Sequence, residues 1–193
     1  MTYEVVAVGA SWGGLDAVER LLAGLPDDFG PAIVIAQHRS RDSTEGLAGL
    51  LARHARRPVV EVGDKEPIER GKIYLAPPDY HLLVEPGSFA LSVEDRVHYA
   101  RPSVDVLFES VADAYRERAV GIVLTGANRD GARGLARIKE LGGVAIVQDP
   151  EDAEAYTMPA AALRATVADA VLPLQEIPKF LIGLCVEVGE RVV

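Results

Sequence analysis

The chain of 193 residues is acidic, with a formal net charge of −9, 49% hydrophobic residues and 25% charged residues. This composition predicts one globular domain over residues 1–193 and argues against general nucleic-acid binding, which needs clustered Lys and Arg. No apolar run reaches bilayer-spanning length and no basic N-terminal stretch leads into a long apolar segment, so we expect neither membrane insertion nor secretion. The single cysteine, Cys185, excludes an internal disulfide and favours a cytoplasmic location.

Apolar runs alternate with helical patterns along the chain, which is typical of α/β proteins. The predicted strands cover residues 3–8, 32–36, 59–62, 72–76, 119–124, 144–147 and 170–172. The predicted helices cover residues 14–24, 43–54, 103–115, 131–141, 158–165 and 178–188. Continuous Val, Ile and Ala in the first two strands indicate burial on both faces, as in a parallel sheet covered by helices.

Residues 81–85 and 89–94 alternate in polarity and are separated by Pro86-Gly87-Ser88, which predicts an antiparallel hairpin at a sheet edge. The predicted fold class is therefore α/β and Rossmann-like. It is a doubly wound, mostly parallel sheet with helices on both faces and an antiparallel edge hairpin.

The first predicted strand runs into Gly9, Ser11 follows two residues later, and Gly13-Gly14 leads into the first helix. This pattern predicts a sharp turn, permitted by Gly9, that displays the Ser11 hydroxyl either beside a bound phosphate or as a nucleophile. A dinucleotide site is disfavoured because Ser11 replaces the glycine that lets the backbone approach the pyrophosphate. The second strand also ends in Gln37-His38 rather than in an acidic residue for the ribose.

Three residues with catalytic chemistry, Ser11, His38 and Asp130, follow three different predicted strands. Residues just beyond the carboxyl ends of parallel strands share one edge of the sheet, so these side chains can converge. His38 could then take the proton of Ser11, while Asp130 holds the imidazole in the required tautomer. The order Ser, His, Asp differs from that of α/β-hydrolases and argues against that fold, although residues 9–13 match G-x-S-x-G.

Each of these residues also has a purely structural interpretation. Ser11 could be only a helix cap, and His38 could be a satisfied polar residue at a strand end. Asp130 could be only the N-cap of the helix that begins with Gly131-Ala132. Convergence of all three on one edge favours the catalytic interpretation.

The remaining candidate site residues are placed by their position in the chain. The backbone N–H of Trp12 follows the nucleophile and is a candidate donor for an oxyanion hole. Thr125, Gly126, Ala127 and Asn128 border the same edge of the sheet. No pair of histidines has zinc-ligand spacing and there is no Cys cluster, so we expect no metal site.

Several motifs extend this pattern, in one order, over nearly the whole chain. They are Gly9-Ala10-Ser11-Trp12-Gly13-Gly14, Gln37-His38, Tyr74-Leu75-Ala76-Pro77-Pro78 with His81-Leu82, Arg101-Pro102-Ser103-Val104-Asp105, Leu124-Thr125-Gly126 with Asp130-Gly131-Ala132, and Gln148-Asp149-Pro150 with Met158-Pro159. Through these motifs the sequence resembles the catalytic domain of the chemotaxis receptor methylesterases, the CheB family.

The resemblance implies hydrolysis of γ-glutamyl methyl esters on the cytoplasmic helices of chemoreceptors, with release of methanol. In some members it also implies deamidation of receptor glutamines. It assigns Ser11 as the nucleophile, His38 as the base and Asp130 as the orienting acid, and it implies no cofactor. The implied partner is a methylated chemoreceptor or a related helical signalling protein.

The chain departs from the family pattern at several positions. Trp12 stands where a small residue or Thr is common, and residues 127–129 replace a loop that is usually rich in Met and Gly. Thr157 stands where Gly often precedes Met-Pro, and Arg129 could compete for the carboxylate of Asp130. Family members usually carry an N-terminal receiver domain. Here the first predicted strand begins at residue 3, which leaves no room for a receiver domain in this sequence. It is then either a free-standing domain, for which we expect no control by phosphorylation, or a domain cut from a longer chain.

These departures leave open a second interpretation, a catalytically weak or inactive domain that acts as a binding module in a signalling complex. Trp12, Ala127 and a cluster of basic residues favour it, whereas retention of Ser11, His38 and Asp130 argues against it. The basic cluster could be a solvated helix face or a docking surface for an acidic partner. It consists of Arg39, Arg41, Arg53, His54, Arg56 and Arg57.

Overall fold

The computed structural model describes residues 2–39 and 46–186. Its strands are β1 Val5–Ala10, β2 Ala32–Gln37, β3 Val59–Glu61, β4 Ile73–Leu75, β5 His81–Glu85, β6 Ser88–Ser92, β7 Ala119–Val123, β8 Val144–Gln148 and β9 Ala170–Leu172. Its helices are α1 Gly14–Ala23, α2 Leu47–Ala55, α3 Val104–Tyr115, α4 Ala132–Glu140, α5 Thr157–Ala165 and α6 Ile177–Val186. Parts of two predicted helices, residues 43–45 and 187–188, lie outside the described residues.

Seven strands form one sheet in the order β3-β4-β2-β1-β7-β8-β9, and every neighbouring pair is parallel. The register aligns Val6 of β1 with Ile33 of β2 on one side and with Val120 of β7 on the other. The chain builds one half of the sheet first and then crosses back over the central strand to reach β7. The adjacent strands β1, β2 and β7 therefore bring their carboxyl ends to the same edge of the sheet.

Alternate residues of the central strands face two separate cores. Val5 and Ala7 belong to a core formed with α3, α4, α5 and the β5–β6 hairpin, whereas Val6 and Val8 belong to a core formed with α1, α2 and α6. All six residues of β1 and of β2 are buried. This burial explains the unbroken apolar runs and confirms the doubly wound α/β class. Within the described ranges, no helix is long and apolar enough to cross a membrane.

The antiparallel hairpin forms as predicted, with Leu83 opposite Ala90 and Glu85 opposite Ser88. It is a separate two-stranded sheet rather than a continuation of the main sheet, whose outer strands are β3 and β9. Its buried residues Leu82, Val84 and Phe89 pack into the core that contains α3. The hairpin therefore packs its apolar face against the layer that contains α3, and it is not hydrogen-bonded to an outer strand of the main sheet.

Two glycines before α1 have different tasks. Gly13 adopts a left-handed conformation with φ 71° and serves as the N-cap of α1, so it makes the turn possible. Gly9 lies within β1, where a Cβ atom would come within 2.2 Å of Val104 Cγ1. The sequence pattern assigned the tight turn to Gly9, whereas the structure makes this residue the point where α3 packs against the strand.

Candidate active site

The three predicted catalytic residues lie at one edge of the sheet. Ser11 directly follows β1, His38 directly follows β2, and Asp130 lies in the connection between β7 and α4. Backbone hydrogen bonds tie these strand ends together, because Ser11 N–H donates to Thr125 O and His38 N–H donates to Ala10 O, both at 3.0 Å. The three residues therefore lie at the same edge of the sheet, where the sequence places them.

The imidazole of His38 is paired with the carboxylate of Asp130, with 2.8 Å between Nε2 and Oδ2. The side chain of Asp130 is fully buried and that of His38 is 12% exposed. An ionised carboxylate only accepts hydrogen bonds, so Nε2 carries the proton and the lone pair of the neutral ring lies on Nδ1. Any proton that His38 takes as a base is therefore received at Nδ1.

The Asp130 carboxylate sits at the N-terminus of α3. Its Oδ1 accepts hydrogen bonds from Ser103 Oγ at 2.8 Å, from Asp105 N–H at 2.9 Å and from Gly131 N–H at 3.1 Å. Its Oδ2 accepts one from Val104 N–H at 2.7 Å, besides the one from the imidazole. The interpretation of Asp130 as N-cap of the next helix is wrong, since Gly131 holds that position and the carboxylate serves α3 instead.

These donors keep Asp130 ionised. Burial alone would raise the pKa of Asp130, but the hydrogen bonds from His38 and from the backbone of Asp105 and Val104 outweigh burial. The pKa of Asp130 therefore lies below its ordinary value. Sequence reasoning missed the supporting role of Ser103, although a serine before an apolar helix is a recognised N-cap signal.

Ser11 is held by its backbone while its hydroxyl is free. Gln37 Nε2 donates to Ser11 O at 2.8 Å, and a Cβ atom on Gly126 would come within 2.9 Å of Ser11 Cβ. Among the described residues, none is hydrogen-bonded to Ser11 Oγ. The Nδ1 atom of His38 instead lies 3.2 Å from Nδ2 of Asn128.

Thr125 and Gly126 fasten the loops around Ser11. The hydroxyl of Thr125 donates to Trp12 O at 2.9 Å and accepts from Ala155 N–H at 2.8 Å. The N–H of Thr125 donates to Gln148 Oε1, and that of Gly126 donates to Ala155 O. Both N–H groups are therefore engaged, whereas that of Trp12 donates to no described residue.

Exposed aromatic residues lie in both of the segments that the Thr125 hydroxyl joins. Trp12 and Tyr156 are each 66% exposed, and the Thr125 hydroxyl links the two segments that carry them. Sequence reasoning singled out Trp12 but not Tyr156, because the link between their two segments depends on contacts between distant loops. Ala127 is exposed at the same edge.

Arg129 pairs away from Asp130, contrary to the expectation that it competes for that carboxylate. Its Nε donates towards His98 Nδ1 at 3.4 Å, and Nε2 of the same ring lies 3.4 Å from Asp105 Oδ2. Burial raises the pKa of Asp105. Donor atoms of His98, Asp105 and Asp130 lie within 4.8 Å of one another, a spacing that could suit a cation. The Asp130 oxygens, however, are already committed to the hydrogen bonds described above.

The basic cluster does not form one surface. Arg39 donates to Glu61 Oε2 at 2.7 Å and to Ala76 O at 2.8 Å, and its side chain is only 6% exposed. Arg57 is buried and donates to Phe29 O at 2.9 Å. Arg41 lies outside the described residues. The interpretation of these residues as one solvated helix face is therefore wrong for Arg39 and Arg57.

Two cavities flank His38. A cavity of about 670 Å³ lies towards α1 and α2 and is lined by Leu15, Leu47 and Leu50 together with His38. A second cavity of about 360 Å³ lies on the other side and is lined by His38, Asn128, His98 and Tyr99, among others. The imidazole is therefore reachable from solvent on a side that Asn128 borders.

The parallel sheet, the serine at a strand-to-helix turn and the buried His–Asp pair define a serine hydrolase type of site. The family model described as CheB methylesterase matches residues 6–181. The crystal structure of the Thermotoga maritima CheB methylesterase catalytic domain superposes with a TM-score of 0.89 and 32% sequence identity, over 95% of this chain and 100% of that one. The chain belongs to the CheB methylesterase family, a class of serine hydrolases.

Similar proteins occur in several bacteria. A Leptospira interrogans homologue is 44% identical over 185 residues, which cover 95% of this chain and 96% of that protein. The protein-glutamate methylesterase/protein-glutamine glutaminase 2 of Anaeromyxobacter dehalogenans is 42% identical over 92% of this chain and 52% of its own length. The chain therefore spans nearly all of the first relative and about half of the second.

Proposed function

We propose that this chain hydrolyses γ-glutamyl methyl esters on a chemoreceptor or a related helical signalling protein. Ser11 is the nucleophile, His38 the base and Asp130 the acid that orients it. The observation that carries the proposal is the 2.8 Å pair of His38 and Asp130 at the strand edge that also presents Ser11. The name of the Anaeromyxobacter relative, which includes both methylesterase and glutaminase, supports ester hydrolysis with glutamine deamidation as a companion activity.

The reaction begins with attack of Ser11 Oγ on the ester carbonyl carbon while His38 Nδ1 takes the hydroxyl proton. The tetrahedral intermediate collapses, its methoxy oxygen takes the proton from the imidazolium, and methanol leaves an acyl-enzyme on Ser11. Water then attacks the acyl carbon with His38 again as base, which releases the glutamate carboxylate and restores the serine. In deamidation ammonia leaves in place of methanol.

Asp130 contributes by holding the ring in the Nε2–H tautomer and by stabilising the imidazolium. Its low pKa and its hydrogen bonds at the N-terminus of α3 keep it charged at neutral pH. The N–H of Trp12, which follows the nucleophile and donates to no described residue, is the proposed oxyanion donor. The N–H groups of Thr125 and Gly126 already donate to Gln148 Oε1 and Ala155 O, so they are not available to an oxyanion. These two residues hold the loops around the site in place instead.

The proposed surroundings follow from this substrate. Chemoreceptor methylation sites lie on cytoplasmic helices, so we place the chain in the cytoplasm and its partner among helical signalling proteins. Exposed Trp12, which follows Ser11, and exposed Tyr156, in the segment joined to it through Thr125, offer flat apolar surface for the side of such a helix. Neither a nucleic acid nor a resident cofactor has a part in this reaction.

The test is labelling with a fluorophosphonate probe followed by peptide mass mapping. Wild type should be labelled at Ser11, whereas Ser11→Ala and His38→Ala should not be labelled. His54→Ala is the matched control, since His54 is a partly exposed histidine on α2 that contacts Glu19 and should leave labelling unchanged. Methanol release from a methylated receptor fragment then tests the substrate. Labelling without methanol release would retain the nucleophile and refute this substrate, and absence of labelling in folded wild type would favour a binding module.

A further inference from the structure

The side chain of Asn128 bridges the two partners of the catalytic pair. Its Oδ1 accepts a hydrogen bond from Asp130 N–H at 2.9 Å, and its Nδ2 lies 3.2 Å from His38 Nδ1. The orientation of the carboxamide follows from these contacts, because the Asp130 N–H can only donate and therefore selects the oxygen. The NH₂ group must then face the imidazole.

The nitrogen that Asn128 reaches is the basic one. Asp130 Oδ2 accepts the proton of Nε2, so the lone pair of neutral His38 lies on Nδ1, and Asn128 Nδ2–H is placed to donate into it. The same lone pair must receive the proton of Ser11 in the reaction proposed above. Ser11 Oγ, in turn, is hydrogen-bonded to no described residue.

We propose that Asn128 is a positioning residue that latches the base in its resting state. Its carboxamide caps His38 Nδ1, holds the ring in the Nε2–H tautomer, and must move aside before Ser11 Oγ–H can donate to the ring. The inference rests on the proposed roles of Ser11 and His38. Asn128 is half-buried beside the smaller of the two cavities, so an incoming substrate can reach it and displace it.

The proposal predicts opposite effects for two substitutions. Asn128→Ser keeps an oxygen for Asp130 N–H but is too short to reach the imidazole, so the lone pair is free. Its fluorophosphonate labelling rate should rise about two- to tenfold, since a neutral hydrogen bond contributes roughly that factor. Asn128→Asp keeps the shape and the same oxygen. It replaces the donor with a carboxylate, however, which favours the imidazolium, a ring without a lone pair, so labelling should be slower than in wild type.

Labelling rates of wild type and the two variants are compared on the full chain at one probe concentration and neutral pH. A faster Asn128→Ser together with a slower Asn128→Asp supports the latch. A residue that only supports the loop would slow both variants or change neither. Either of those results overturns the proposal.

A second measurement separates this proposal from that of the nucleophile. In a Ser11→Ala background, ¹⁵N NMR of labelled histidine reports on Nδ1 of neutral His38 without any reaction. Asn128→Ser should move this resonance towards the chemical shift of an Nδ1 atom whose lone pair accepts no hydrogen bond. An unchanged resonance overturns the proposal that Asn128 caps the ring. If no variant reacts with the probe, the nucleophile assignment fails, while the NMR result still decides whether Asn128 caps the ring.

Discussion

Replacement of Asp130 by asparagine removes one charge and changes one acceptor into a donor. The single oxygen of the new carboxamide can replace Oδ1, which serves Ser103, Asp105 and Gly131, or Oδ2, which serves His38 and Val104. The three donors at Oδ1 favour keeping the oxygen there, so the new NH₂ group faces Val104 N–H and the imidazole.

Two losses follow from this arrangement. The buried N–H of Val104 loses its acceptor, at about 1–3 kcal/mol, and α3 loses a charge at its N-terminus, worth roughly 0.3–2 kcal/mol. The imidazole can accept at Nε2 from the new NH₂ group only in the Nδ1–H tautomer, which gives up the hydrogen bond from Asn128 Nδ2 and leaves no lone pair facing Ser11. We expect Asp130→Asn to be destabilised by about 1–5 kcal/mol, with Ser11 labelling and ester turnover reduced on the order of 10⁴-fold by analogy with serine proteases.

Urea unfolding measures the first quantity, and probe labelling at a concentration of urea well below the transition measures the second. Asp113→Asn is the matched control, because this exposed acid pairs with Arg137 on the surface and lies away from the site. Turnover within tenfold of wild type in folded Asp130→Asn would refute the tautomer argument. An unchanged midpoint of unfolding would refute the role of the carboxylate in holding α3.

Three further predictions concern packing and titration. Gly9→Ala should cost about 1–3 kcal/mol in urea unfolding because of the clash with Val104, with rescue by Val104→Ala; Gly49→Ala, with open space around it in α2, should be neutral or stabilising. Burial raises the pKa of Asp105 above its ordinary value of 3.8. The protonated carboxyl therefore contributes stability that is fully present below pH 3.8 and is lost as pH rises through the pKa of Asp105 in the folded protein. The free energy of unfolding of Asp105→Asn, compared with that of wild type, should therefore be higher at neutral pH than at pH 3. An equal difference from wild type at both pH values would contradict this. Burial raises the pKa of Cys185 to about 11, so its alkylation at pH 8 should be on the order of 100-fold slower than that of a free thiol, and rapid alkylation of folded protein would show the thiol to be accessible and ionised.

The sequence was sufficient to predict the edge of the sheet on which the site lies. Apolar runs identify parallel strands, and the residues after their carboxyl ends meet wherever those strands are neighbours. Ser11 and His38 follow β1 and β2, which pair directly, so their convergence needs no long-range information beyond strand order. The start of α3 was also predictable, because Ser103 precedes a regular apolar pattern.

The details that determine the chemistry were not predictable in this way. The hydrogen bonds from the N-terminus of α3 to Asp130 depend on how this helix packs beside a loop from another part of the chain. The local sequence pattern instead favoured Asp130 as the N-cap of the neighbouring α4. Asn128 was placed at the edge by position, but the direction of its carboxamide depends on the backbone turn around Asp130. The packing role of Gly9 was missed because only the folded structure shows the Val104 side chain against it.

The Thr125 hydroxyl, which joins the turn at Trp12 to the loop at Ala155, also has an experimental consequence. Trp12 is the only tryptophan of the chain, and the residue is 66% exposed although its carbonyl oxygen is hydrogen-bonded to Thr125. Changes in emission from this ring therefore report contact at the mouth of the site rather than motion of a loose loop. Fluorescence titration can follow the arrival of a receptor helix on unlabelled protein, including the Ser11→Ala variant, in which binding is observed without turnover.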